Sequence, residues 1–446
     1  MIKYTKFFIT FLLAVIVFEA KSQSTATSSS PYSQYGLGDL TPMLLPQNIG
    51  MGGIATATNV INGFNSINPL NPASYGAISL TTIDAGIYSS TLFLSQSGQS
   101  SAVNSNTRFS HVAFAIPVTR GSAFSFGLLP YSQLGYNYKQ TLSKGFGSGS
   151  PADTNAVNYI YSGEGGLSKA YLGYGFTIAR HLLVGFNVSY IFGDLKHYQT
   201  TEIPTYTGTL NSTVEQDNSV GGLNYDYGAQ YSIDLSLTRH IILAYSASAS
   251  SNLNSKSSYI VSQYSYDASG NKNVAADSII NQQGANAKIH LPQNNHFGIS
   301  YQKDQKYLVG ADYSTARWSD LSIGGVNQGM ANSSTLNVGG QITPNMNALG
   351  NYWATVDYRF GFIHDQTYFN VPNPTGGGFT QIKSNSLTFG FGMPLRPNNL
   401  SFYKVNFSAE VGQRGTLSNG LVKENFINIH LGFTLNDKWF QRYKFD

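Results

Sequence analysis

Residues 182–192 read Leu182-Leu183-Val184-Gly185-Phe186-Asn187-Val188-Ser189-Tyr190-Ile191-Phe192. Taken two at a time, one face is Leu182, Val184, Phe186, Val188, Tyr190 and Phe192. The other is Leu183, Gly185, Asn187, Ser189 and Ile191. Successive side chains on an extended strand point to opposite faces, so this stretch has one greasy and one wet side. The same period recurs on either flank. Leu172, Tyr174, Phe176 and Ile178 alternate with Gly173, Gly175 and Thr177; Leu223, Tyr225, Tyr227, Ala229, Tyr231 and Ile233 alternate with Asn224, Asp226, Gly228, Gln230, Ser232 and Asp234. Near the end of the chain, Ile427, Ile429, Leu431, Phe433 and Leu435 alternate with Asn428, His430, Gly432 and Thr434.

A soluble β-sandwich alternates too, and three features separate the two cases. The polar faces are mostly Gly, Ser, Asn and Thr, without the Lys and Glu that coat a soluble sheet. The apolar faces are aromatic and run for about ten residues, the length of a membrane strand. Short connections (Thr119-Arg120-Gly121, Ala179-Arg180-His181, Thr238-Arg239-His240, Lys303–Lys306, Arg396–Asn399) alternate with long ones at 142–156, 194–218, 250–286 and 365–383. Composition agrees. Charged residues are 11% of 446, against roughly 25% in ordinary domains, while 30 Tyr, 27 Phe and 46 Gly accompany a mean hydropathy near zero. The reading is an all-β transmembrane antiparallel barrel of about fourteen strands, centred near 85, 112, 130, 168, 187, 228, 244, 296, 312, 338, 358, 389, 406 and 431. Closure removes the unpaired edges that hydrocarbon cannot satisfy.

Outside the barrel, expected over 77–436, three segments read differently. Residues 1–22 form a signal peptide: Lys3 and Lys6, an apolar run Phe7–Phe18, and Ala20-Lys21-Ser22 as the cleavage site. The run is too short for a bilayer, which needs about 20 residues. Residues 23–76 carry Gly-rich turns and prolines at 42, 46, 69 and 72, and are expected inside the lumen as a hatch. Residues 437–446 are expected as a periplasmic C-terminal tail. Trp318, Trp353 and Trp439 fall near strand ends and suit an interface belt. With no cysteine there is no disulfide, thiol catalysis or thiolate metal site. A net charge of +4 without a basic run gives nucleic-acid binding little support.

Two stretches resemble the FadL-type family of long-chain fatty-acid and hydrocarbon transporters of Gram-negative outer membranes. One is Gly50-Met51-Gly52-Gly53 followed by Asn71-Pro72-Ala73-Ser74, similar to that family's hatch. The other is Leu291-Pro292, Phe297-Gly298-Ile299-Ser300-Tyr301, then Gly310-Ala311-Asp312-Tyr313 and Trp318, similar to a strand pair after its large loop. The layout of hatch, fourteen strands and terminal strand matches as well. The resemblance implies a hatch-gated barrel that takes up hydrophobic molecules and releases them sideways through a gap made by a kink in the third strand. Pro130 falls inside the third strand here. Lacking the N–H that a ladder needs, it is expected to break the pairing locally. The chain departs from the usual terminal aromatic by continuing as Asn436-Asp437-Lys438-Trp439-Phe440 to Asp446. Barrels similar to this family also serve protein secretion.

No His-Glu-x-x-His, Walker loop or Gly-x-Ser-x-Gly elbow occurs, and Gly145–Ser150 lies in a long connection rather than before a helix. Ser110 and His111 are adjacent on a strand and so face opposite ways. No enzyme activity, metal or cofactor is expected. Asp226, Asp312, Asp357, Arg359 and Glu410 fall on polar faces and are expected in the lumen. There they anchor the hatch or a ligand headgroup, or simply form the ion pairs that fill the interior. The expectation is a Gram-negative outer-membrane protein with both termini periplasmic, passing fatty-acid- or hydrocarbon-like molecules passively. The alternative is a non-transporting barrel, partner or scaffold in protein secretion or outer-membrane assembly. Expected partners are outer-membrane lipids, a hydrophobic ligand and other envelope proteins.

Overall fold

The computed structural model describes residues 30–61, 64–142, 156–204, 208–274, 278–395 and 402–438. The signal peptide, residues 23–29, the Gly145–Ser150 run, the Arg396–Asn399 turn and the tail from Trp439 onward lie outside them. The described strands form one closed antiparallel barrel of fourteen. They are β1 (Thr81–Gln96), β2 (Ala102–Thr119), β3 (Ser122–Leu142), β4 (Val157–Ala179), β5 (Leu182–Glu202), β6 (Asn211–Ser236), β7 (Arg239–Ser248 continuing as Ser251–Tyr266), β8 (Ile280–Leu291 continuing as Asn294–Lys303), β9 (Tyr307–Ala316), β10 (Ser333–Ile342), β11 (Asp357–Pro372), β12 (Phe379–Leu395), β13 (Phe402–Gly415) and β14 (Val422–Asp437). Each sequence-derived centre falls in its own strand. The ring closes where β14 pairs with β1, from Thr81↔Asp437 to Gln96↔Val422.

The faces divide as the alternation predicts. On β5, Phe186, Val188, Tyr190 and Phe192 are exposed while Asn187, Ser189 and Ile191 are buried. On β6, Leu223, Tyr225 and Tyr227 point outward and Asn224, Asp226 and Gln230 inward. Exposed aromatics and aliphatics continue round the ring, through Phe297, Val309, Val338, Phe360, Phe389 and Ile429. Such a belt is costly against water and favourable against hydrocarbon.

Three of the stretches read as long loops are largely strand. β5 and β6 leave only 203–210 between them, β7 and β8 only 267–279, and β11 and β12 only 373–378. Beyond the apolar belt both faces of these hairpins are polar, so pairing continues with no hydrophobic alternation to reveal it. Ile280–Asn286, for example, is exposed throughout. Pro292 interrupts β8 because it has no ladder N–H. A matching break in β7 is bridged by the Ser250 hydroxyl donating to the Leu291 carbonyl at 2.9 Å. Trp318 is also a correction. It turns inward after β9 in a short 3₁₀ turn and is buried with its ring centroid 4.9 Å from that of Tyr368. Trp353 is exposed at the short-turn rim.

Among the described residues, the wall loses its pairing between β2 and β3. β2 and β3 pair from Thr119↔Ser122 only as far as Val112↔Leu128. Beyond that, β2 pairs with β1 alone, and β3 pairs with β4 and with a two-residue strand, Asp39–Leu40. The β3–β4 register slips between Pro130 and Ser132. The bend carries across β4 and β5 through Gly165, Gly166 and Gly193, whose φ values of 119°, 159° and 149° suit glycine. Val188, in the middle of the apolar band, generates the test of orientation. Val188→Arg is expected to destabilise the barrel by about 2–4 kcal/mol, and its inward neighbour change Ser189→Ala by about 1 kcal/mol, read as urea midpoints in lipid vesicles.

Candidate functional site

Residues 30–78 lie inside the ring and are held by the inward faces of the strands. Ser30 caps a 3₁₀ turn, Pro31–Gln34, with its hydroxyl accepting from the Tyr32 N–H at 3.1 Å. Asp39–Leu40 then adds to the open edge of β3 at Gln133 and Ser132, and the Thr41 N–H donates to the Tyr131 carbonyl at 2.9 Å. This strap, Ser30–Thr41, therefore supplies partners that β2 does not. Its far side is tied to β13 and β14, beyond β1. Arg414 on β13 donates to both Asp39 carboxylate oxygens at 2.9 Å and to Glu424 at 2.7 Å, while the Ser30 hydroxyl donates to Glu424 at 2.5 Å.

A short helix α1 (Pro46–Gly50) starts on a proline whose φ is already helical, and Gly52 and Gly53 turn the chain with φ of 72° and 78°. Here the segment meets the wall backbone to backbone. A Cβ on Gly339 would come within 2.2 Å of the Met51 carbonyl oxygen, and one on Gly361 within 2.2 Å of the Gly52 nitrogen. The same holds lower down, where a Cβ on Gly185 would lie 2.3 Å from the Pro72 carbonyl. Inward glycines on β5, β10 and β11 thus leave room for the segment and for nothing else. Asn71 starts a second 3₁₀ turn, Pro72–Ala77: its side chain accepts from Ala73 N–H at 3.1 Å and donates to the Thr56 carbonyl at 2.8 Å.

The charged residues singled out in the sequence are dispersed over separate places. Asp312 accepts the N–H groups of Ala55 and Thr56, both at 2.7 Å, and so holds the segment. Asp226 pairs with Lys169 at 2.8 Å. Asp357 accepts from Lys404 at 2.7 Å and Arg359 at 3.1 Å, and Arg359 also donates to Gln341 and Asn406. Glu410 accepts from the Ser386 hydroxyl at 2.6 Å and Asn428 at 3.1 Å. Sequence reading missed Lys169, Lys404, Arg414, Glu424, Asp84 and His111; Asp84 accepts from the His111 ring at 2.7 Å and from Thr434 at 2.6 Å. Parity could have found Lys169, an inward position between Leu167 and Tyr171. Nothing in the linear pattern marks Arg414, which sits above the aromatic band.

Apolar side chains in the upper lumen are already packed. Tyr32 and Leu37 of the strap are buried with Leu134, Leu167, Trp318, Tyr368 and Phe369. What remains open is a cavity of about 410 Å³ lined by Tyr88, Arg108, Asp365, Glu410 and His430 among others, reaching Asn104 and Asn106 on one lip of the wall gap and Pro130 and Gln133 on the other. A second cavity, about 420 Å³, lies at the short-turn rim around His181, Asp234 and His240. The two share no lining residue.

The BamG family model matches residues 1–446, the whole chain. The chain belongs to the BamG family. No curated protein sequence matches it. Among solved structures, this BamG-family chain is similar to the toluene transporter TbuX of Ralstonia pickettii, with a TM-score of 0.56 and 15% identity over 88% of this chain and 98% of that one. It is also similar to the toluene transporter TodX of Pseudomonas putida, with 0.53 and 14% over 89% and 98%. A Pseudomonas aeruginosa FadL homologue gives 0.52 and 12% over 90% and 100%. The fold is thus the FadL-type barrel. The buried Asp312 contact gives a direct test. Asp312→Ala strands two backbone donors and is expected to cost about 1–3 kcal/mol, seen as lower thermal stability in detergent with faster proteolysis within 42–61; Asp312→Asn, which keeps an acceptor, should lose less.

Proposed function

We propose that this protein is an outer-membrane barrel sealed by its own N-terminal segment, acting as a partner or scaffold in the assembly or secretion of other envelope proteins. The observation that carries this is the occupancy of the lumen by that segment. Tyr32 and Leu37 cover part of the apolar wall, and an apolar ligand, which gains about 25 cal/mol for each Å² it buries, finds Leu44, Ile49 and Phe426 in the open cavity only beside Arg108, Asp365 and Glu410. Passage further down would have to displace the segment itself, whose backbone is held by Asp312, Thr388 and Gln230. Membership of the BamG family supports the same reading.

The wall gap beside Pro130 favours a second reading, passive uptake of a hydrophobic molecule into the upper cavity with sideways release. In both readings Gly50, Met51, Gly52, Gly53, Asn71 and Pro72 belong to a hatch. The short-turn rim, where β14 ends, faces the periplasm, and Ser30, bonded to Glu424 and Gly135, lies toward the outer end. Two measurements separate the readings. Under the first, cells with and without the protein take up labelled toluene and oleate equally, and mild detergent extraction yields a stoichiometric complex with other envelope proteins. Uptake that depends on the protein and falls with Pro130→Ala, together with extraction of the chain alone, would reverse the choice.

A further inference from the structure

The upper cavity holds ionised groups that the rest of the molecule leaves uncompensated. Arg108 projects inward from β2 at the lip of the wall gap, its guanidinium 4.6 Å over the Tyr88 ring. No carboxylate lies within 4.0 Å of it among the described residues. His430 packs against the same tyrosine with ring centroids 4.6 Å apart. It is 8% exposed, and its Nδ1 has no hydrogen-bond partner. Across the cavity, Glu410 receives hydrogen bonds from Ser386 and Asn428 only, and Asp365 from Thr335 only, so neither carboxylate meets a cation. Other charges near the cavity are matched, Arg414 by Asp39 and Glu424, and Lys169 by Asp226.

We infer that this cavity binds the zwitterionic headgroup of a bilayer lipid, one phosphate and one primary amine, reaching in through the gap between β2 and β3. The guanidinium fork of Arg108 takes the phosphate in two hydrogen bonds, with the free His430 nitrogen as a third partner. The amine, a few bonds further on, donates to Glu410 and Asp365. The two charges flank one chain of contacts: the Arg108 guanidinium lies over the Tyr88 ring, the Tyr88 hydroxyl donates to Asn428 at 3.0 Å, and Asn428 donates to Glu410 at 3.1 Å. A headgroup that carries a phosphate and an amine on one short linker matches this pair of opposite charges, neither of which has a counter-ion in contact among the described residues. The gap gives the source: the cavity reaches Asn104–Ser110 on one lip and Pro130–Gln133 on the other, and the acyl chains stay in the bilayer beside exposed Val103 and Phe109.

Native mass spectrometry of the full chain in detergent, titrated with phosphatidylethanolamine, phosphatidylcholine, phosphatidylglycerol and free phosphoethanolamine, tests this. One phosphatidylethanolamine is expected to bind at least tenfold tighter than phosphatidylglycerol, which has no amine, and than phosphatidylcholine, whose ammonium has no N–H. Arg108→Gln and Glu410→Gln should each weaken it at least tenfold, with thermal unfolding unchanged as the check on folding. Equal binding of the three lipids, or no effect of either substitution, overturns the site. Phosphoethanolamine binding as tightly as the lipid overturns the bilayer as the source.

Discussion

Inside hydrocarbon a backbone N–H or C=O has no water to turn to, and each one left unpaired costs several kcal/mol. That constraint explains why fourteen strands close on themselves, with β14 returning to β1 along its whole length. It also explains why the place where the wall fails to pair is so elaborately furnished. When β2 parts from β3 beyond Leu128, the edge of β3 is taken up by Asp39–Leu40 and by backbone and side-chain contacts from Ser30 to Thr41. The edge of β2 instead borders the upper cavity.

The N-terminal segment follows from the same accounting. Its helix and 3₁₀ turns are short, and although turns and the Asn48, Asn68 and Asn71 side chains satisfy many of its groups internally, others are met by the wall. Asp312, Gln230, Ser300 and Thr388 supply those partners. Inward glycines on β5, β10 and β11 bring the two backbones into contact. The segment and the barrel are therefore one packed body, and the strap's salt bridge to Arg414 ties the open edge of β3 to β13, on the other side of the β2–β1–β14 stretch.

Buried charge in the lumen comes in two kinds. Below the cavity it is compensated, as in the Asp357–Arg359–Lys404 triad and the Lys169–Asp226 pair, where removal of one partner would strand the other. Around the cavity Arg108, Asp365 and Glu410 stand apart. A barrel that shares its fold with hydrocarbon transporters thus sets these charges among apolar side chains such as Leu44, Ile49 and Phe426 in its open space.

Alternation in segments such as Leu182–Phe192 was sufficient by itself to determine the barrel, its strand number and which side chains meet lipid, because period two and the lipid belt act on each strand independently. It failed where the belt ends: the hairpins above it have two polar faces, and Trp318, read as an interface residue, turns inward. Inward parity marked Asp226, Asp312, Asp357, Arg359 and Glu410, and applies equally to Lys169 and Lys404, but it does not say which of them meet, since the pairs form between adjacent or next-but-one strands in a register that parity leaves open. Only tertiary structure decided that the strap reaches the long-hairpin end, packs in the upper lumen and repairs the edge of β3. Those outcomes depend on closure distances and backbone contacts between strands hundreds of residues apart, which no local pattern encodes.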